Sequence, residues 1–170
     1  GHHQPEDTEF EVGDVWSISW RKPQHIRPPH VEDIIVTEKC FKLRASSDQK
    51  IIQTLESKPG VKIWKGGPQT LFDGKLKWTE RGSGYLSQDC DLPCNSVGFW
   101  RPGQDLLRSD FAGKVRYTYP PKIKNFYSFG TTNPDEMWLK FSYVGFKPAA
   151  EVIPAGTLVR VSLARWWSPG

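Results

Sequence analysis

A mostly β architecture is predicted by three features of this 170-residue chain. Fifteen Gly and fourteen Pro cut its apolar residues into short runs, as in small barrels and sandwiches. Several of those runs alternate apolar and polar side chains, the period of a half-buried strand. Only one stretch joins a capping residue to an apolar stripe at helical spacing, so one short helix is expected.

In residues 12–20, Val12, Trp16, Ile18 and Trp20 share one side while Ser17 and Ser19 take the other, which predicts a strand. Residues 33–43, with β-branched Ile34, Ile35, Val36 and Thr37, predict a second. The helix follows Ser46: Ser46 and Gln49 have capping-box spacing, Ile51, Ile52 and Leu55 form the stripe, and Pro59-Gly60 stops it. Asp73-Gly74 predicts a hairpin turn between residues 69–72 and 75–78. Further strands are expected over 96–101, 114–119, 137–146 and 156–167. Residues 81–93 and 120–134, rich in Gly, Pro, Asn and Ser, read as long loops, where binding often concentrates. Two internal echoes stand out: residues 13–19 repeat the Gly, apolar and Ser positions of 156–162, and Val97-Gly-Phe99 recurs as Val144-Gly-Phe146. Both two similar β modules and a chance likeness of Gly-led strands fit them.

A formal charge of +4 and a pI near 9.0 permit a nucleic-acid partner without requiring one. Eight Trp, five Tyr and nine Phe exceed what a core of this size needs, which assigns some rings to a surface. With a mean hydropathy of -0.55 and no apolar run approaching the ~20 residues a bilayer demands, a membrane-spanning helix is excluded. The acidic, polar start carries no signal-peptide h-region. Three cysteines, Cys40, Cys90 and Cys94, are an odd number and point to a reducing, cytoplasmic setting. The chain begins at Gly1 and its one Met is Met137, so a piece of a longer gene product or a cloning remnant is expected, and residues 1–3 are left out of the candidate sites.

Three stretches, Pro28-Pro-His-Val-Glu-Asp33, Val97-Gly-Phe-Trp100 and, most specifically, Ile153-Pro-Ala-Gly-Thr-Leu-Val-Arg-Val-Ser-Leu-Ala-Arg-Trp-Trp167, resemble the bacterial dual OB-containing domain family. The resemblance runs over most of residues 10–169. It implies two small OB-like β-barrels packed together, expected here as modules over 10–95 and 96–169, with one compact unit as the alternative. It also implies a prokaryotic conflict or defence context, recognition of nucleic acid or nucleotides, and no catalytic role. A full family member would have more chain before residue 10.

The candidate ligand-binding residues combine rings with cations, because rings stack on bases while cations neutralise phosphate. On the last strand, Leu158, Arg160, Ser162, Ala164 and Trp166 share one face and Val159, Val161, Leu163, Arg165 and Trp167 the other. Small residues between Arg160 and Trp166 leave room for a planar group, although a snorkelling Arg160 and a core-capping Trp166 fit equally. Lys114 and Arg116 share a face opposite Tyr117 and Tyr119, and Trp138 shares one with Lys140, with Tyr143 further along. Trp100 and Arg101 leave an apolar strand for a turn, at the rim where OB-like barrels bind ligands, and Arg108 extends that patch or is a plain solvent charge.

His30, Glu32 and Asp33 sit behind a rigid Pro-Pro, and His30, Glu32 and Asp91 define the alternative of a metal-dependent hydrolase or nuclease. Structural roles are the competing reading, with Asp33 binding backbone at the start of a strand. Cys90 and Cys94 form one C-x3-C pair, short of the two a structural zinc usually takes, so buried free thiols, or a disulfide formed only on oxidation, are expected. No phosphate-cradling Gly-rich loop, dinucleotide fingerprint or nucleophile elbow is present, and no cofactor is expected. The reading is a non-catalytic module for nucleic acid or a nucleotide, through Trp100, Arg101, Lys114, Arg116, Lys140, Tyr143, Arg160 and Trp166. A protein-interaction domain tethered to an effector is the other alternative.

Overall fold

The computed structural model describes residues 9–87, 91–123, 131–145 and 148–164. Strand β1 (Asp14–Arg21) pairs antiparallel with β2 (Ile35–Arg44) as a ribbon, with register shifts after Val15 and Ser19 that add twist. Helix α1 (Asp48–Ser57) follows. It starts one residue later than the capping-box spacing predicts: the N-cap is Ser47, whose hydroxyl accepts from the Lys50 N–H at 3.4 Å.

The rest of the chain builds the core. Strand β3 (Ile63–Gly66) leads into a 3₁₀ segment, Pro68–Gly74. The hairpin expected at Asp73-Gly74 does not form. Phe72 and Asp73 instead take left-handed angles (φ 50° and 60°), which lets the consecutive Leu71 and Phe72 both enter the core. Asp73 is anchored there by an ion pair with Lys62 and by the Trp64 indole N–H at 3.3 Å. The Lys62 hydrogen bond is the main cause holding its carboxyl below the ordinary range. Strand β4 (Lys77–Trp78) pairs with β5 (Gly84–Tyr85), within the stretch expected to be loop.

Strands β6 (Val97–Pro102), β7 (Leu106–Arg108), β8 (Arg116–Tyr119), β9 (Leu139–Ser142), β10 (Val152–Ile153) and β11 (Val159–Ser162) complete the set. They form a four-stranded sheet, β10-β7-β8-β9, and a three-stranded sheet, β11-β6-β3, in which β3 runs parallel to β6. The fold is mostly β, as expected, but among the described residues these sheets do not close into barrels.

One cluster joins them: Trp64, Leu71, Phe72, Trp78, Trp100, Leu106, Tyr117, Tyr119, Met137 and Leu139. It draws on residues from both sides of position 95/96, and β3 pairs with β6 across that position. Gly98 is required there, because a Cβ would stand 2.5 Å from the Trp64 ring. The ribbon is tied to this unit by Glu32, whose carboxylate accepts from the Ser96 and Val97 N–H groups and from the Ser96 hydroxyl.

Candidate functional site

Register decides which side chains the four-stranded sheet presents outward. Tyr117 faces Phe141 and Tyr119 faces Leu139 on the core side, so Arg116, Thr118, Lys140 and Ser142 lie on the other. Leu107 and Val152 extend that outer face across β7 and β10, and Trp138, two residues before Lys140 and 48% exposed, extends it along β9. No carboxylate occupies any of these positions.

Arg116 and Lys140 are diagonal neighbours, ~7–8 Å apart on such a ladder. Beside them the turn 111–114 holds Phe111 and the exposed Lys114, its Phe111 and Lys114 backbones exchanging two 3.0 Å hydrogen bonds. The Arg116 guanidinium sits 5.1 Å from the centre of the exposed Phe111 ring. Among the described residues, no ion pair engages Lys114, Arg116 or Lys140. The result is three cations without an ion pair among the described residues and two exposed rings, at positions that carry no carboxylate.

The remaining expected site residues lie elsewhere. Trp100 is 1% exposed, tilted against Tyr119 and Phe141, with its indole N–H donating to the Gly66 carbonyl at 3.0 Å; it has no face left for a base to stack on. Arg101 is committed to Glu56 at 2.8 Å and to the Gly156 carbonyl, so it fastens α1 and the 153–157 turn to β6. Tyr143 turns inward, edge-on to Tyr117 with centroids 6.0 Å apart. Arg160 is exposed as the alternation predicts, with Val159, Val161 and Leu163 packed on the core, but it stands on β11, opposite Phe99 in the other sheet. Trp166 lies outside the described residues. Arg108 bridges Asp110, at 2.8 Å, and Glu151, at 3.0 Å.

The proposed hydrolase set does not assemble. Glu32 spends its oxygens on the start of β6, while the Asp91 carboxylate is almost fully exposed beside Lys75. Burial is the largest single influence on Glu32 and works against its charge. Its backbone and Ser96 hydrogen bonds together outweigh that, holding the carboxyl below its ordinary 4.5. Among the described residues, no three His, Cys, Asp or Glu side chains gather around a point where a metal could sit. Cys40 and Cys94 are free and exposed, not buried as expected. Cys90 lies outside the described residues.

Sequence pattern alone paired Trp138 with Lys140 but did not select that ring, and it passed over Phe111. The signal for Trp138 was its position two residues from Lys140. For Phe111 it was a Phe-Ala-Gly-Lys turn, in which Ala112 and Gly113 take positive φ and bring Phe111 back against the following strand.

The family model for the dual OB-containing domain matches residues 2–170. The chain belongs to the dual OB-containing domain family. No curated protein and no solved structure matches it. For a member of this family, the mostly β fold is in keeping.

Proposed function

We propose that this dual OB-containing chain is a non-catalytic module that binds nucleic acid or a nucleotide on the outer face of β8 and β9, in the prokaryotic defence setting that the resemblance implies. Lys114, Arg116 and Lys140 neutralise phosphate, while Trp138 and Phe111 offer faces for base stacking. The observation that carries this reading is the coincidence, among the described residues, of cations without an ion pair and exposed rings at positions that carry no carboxylate. Arg160 adds a positive charge on the neighbouring sheet and supports approach of the ligand rather than its seating.

Binding should weaken steeply with salt, and Trp138→Ala should cost ~1–3 kcal/mol of affinity for a fluorescein-labelled single strand while thermal unfolding stays unchanged. Equal affinity of the variant and the parent chain would remove Trp138 from the site. A second reading, a surface for a protein partner, is favoured by the exposed rings of the β1–β2 ribbon. Flat salt dependence of partner binding would favour it.

A further inference from the structure

The four-stranded sheet continues past β9. The Lys140 N–H donates to the Gly82 carbonyl at 2.8 Å, and Ser83 bridges Lys140 in parallel, so the chain entering β5 lies along the free edge of β9. Gly82 makes that seam possible: at φ +80° its missing Cβ would overlap the Trp138 carbonyl oxygen. Bridge partners share a face, so Ser83 lies on the side of Lys140. Tyr85, two residues on, and its partner Lys77 keep to that side, opposite the buried Trp78.

Beyond this seam an open cleft of about 310 Å³ is bounded by Gln69, Leu76, Lys77, Tyr85, Thr132 and Pro134. That volume is at the lower bound for small-ligand sites, and the walls expose somewhat more polar than apolar surface. The Gln69 side chain folds into the space that Gly67 leaves by lacking a Cβ, which sets its amide over that glycine. Lys77 is exposed and, among the described residues, makes no ion pair.

Resting on the nucleic-acid reading of the β8–β9 face, we propose that the binding track crosses Gly82-Ser83 and ends in this cleft, which seats one nucleotide of a single strand. Lys77 meets the phosphate, Tyr85 and Pro134 bound the base, and the Gln69 amide and Thr132 hydroxyl meet its polar edge. From β8 to β4 the track crosses three strand spacings, ~14 Å in all. At ~3.4 Å per stacked nucleotide that is about four nucleotides. The ligand class is therefore an oligonucleotide rather than a free mononucleotide.

The test is fluorescence anisotropy with labelled oligothymidylates and oligouridylates of two, four, six and twelve nucleotides, with thymidine monophosphate as competitor. The proteins are the parent chain, Lys77→Glu, Thr132→Glu, the Arg116→Ala/Lys140→Ala double variant and Lys58→Glu, a control on an exposed residue past α1 whose charge change equals that of Lys77→Glu and exceeds that of Thr132→Glu. Affinity in either series should rise up to about four nucleotides. Lys77→Glu and Thr132→Glu should each weaken the six-mer about tenfold relative to Lys58→Glu and leave the two-mer unchanged. If only the double variant weakens the six-mer, or the monophosphate competes as well as the six-mer, the cleft is not part of the site and the proposal is overturned while the β8–β9 reading stands. If no oligonucleotide binds any of these proteins, both fall.

Discussion

Strands β1 and β11 begin from look-alike stretches, a positive-φ Gly leading into alternating apolar residues and Ser, and they end in opposite environments. In β11, Val159 and Val161 turn onto the core and Arg160 and Ser162 turn out. In β1 and β2 nearly every position is exposed, including Ile18, Trp20, Val36 and Phe41. Alternation therefore reports the pleat, and burial needs a second layer. β11 has one in the opposing sheet. Among the described residues, the ribbon's rings pack on one another, Phe10 on Trp16 at 5.0 Å and Trp16 on Phe41 at 5.5 Å, both edge-on. A two-stranded ribbon on its own is marginally stable.

The difference is broken most directly by truncating one Trp in each region. Trp100→Ala should cost ~3–5 kcal/mol in urea unfolding, because it empties the centre of the core. Trp20→Ala, on the ribbon, should stay within ~0.5 kcal/mol. Comparable losses at the two sites would mean that the ribbon is packed in solution. Gly98→Ala sharpens the contrast from the other side: pressing a methyl into the Trp64 ring should cost ~1–3 kcal/mol. An Ala variant as stable as the parent would show that this ring has room to move.

The link between the two regions gives a smaller effect, ~1–2 kcal/mol for Glu32→Ala, since the Ser96 and Val97 N–H groups and the buried Ser96 hydroxyl lose their acceptor. It is also pH-dependent. The folded state holds this carboxyl below 4.5, so the unfolded chain takes up its proton first as pH falls. Its stabilisation is full above 4.5 and is lost as pH drops through the lower folded value. Amide exchange at Ser96 and Val97, followed downward from pH 6 and corrected for intrinsic rates, should lose protection in that window in the parent chain and show no such step in Glu32→Ala.

The sequence was informative wherever local rules governed the outcome. Both ribbon strands, the helix and β6, β8, β9 and β11 fall where alternation and caps place them, to within a few residues. It misled where tertiary contacts overrode local chemistry. Asp73-Gly74 has hairpin composition, but Leu71 and Phe72 gain more by entering the core together. Trp100 and Arg101 read as a rim pair because nothing local says that Gly66 will take the indole N–H or that Glu56 will take the guanidinium. That Lys114 and Arg116 share one side of β8, and Trp138 and Lys140 one side of β9, was legible from period two, whereas their meeting on one face depends on the β8–β9 register. The cleft beside Lys77 was not legible, because it depends on residues 69, 85 and 132 meeting across the fold.

The order of strands β11-β6-β3 also dictates a timetable for synthesis. β3 and β6 can pair once Pro102 is free, but the other edge of β6 waits for β11, whose last residue is Ser162. At ~5–20 residues per second, those roughly 60 residues take about 3–12 s. During that interval a nascent chain carries an unpaired strand edge beside Trp64 and Trp100, a template for the wrong neighbour. On a crowded message, the hazard is another copy at the same stage of synthesis, and slower elongation over residues 103–162 would lengthen it.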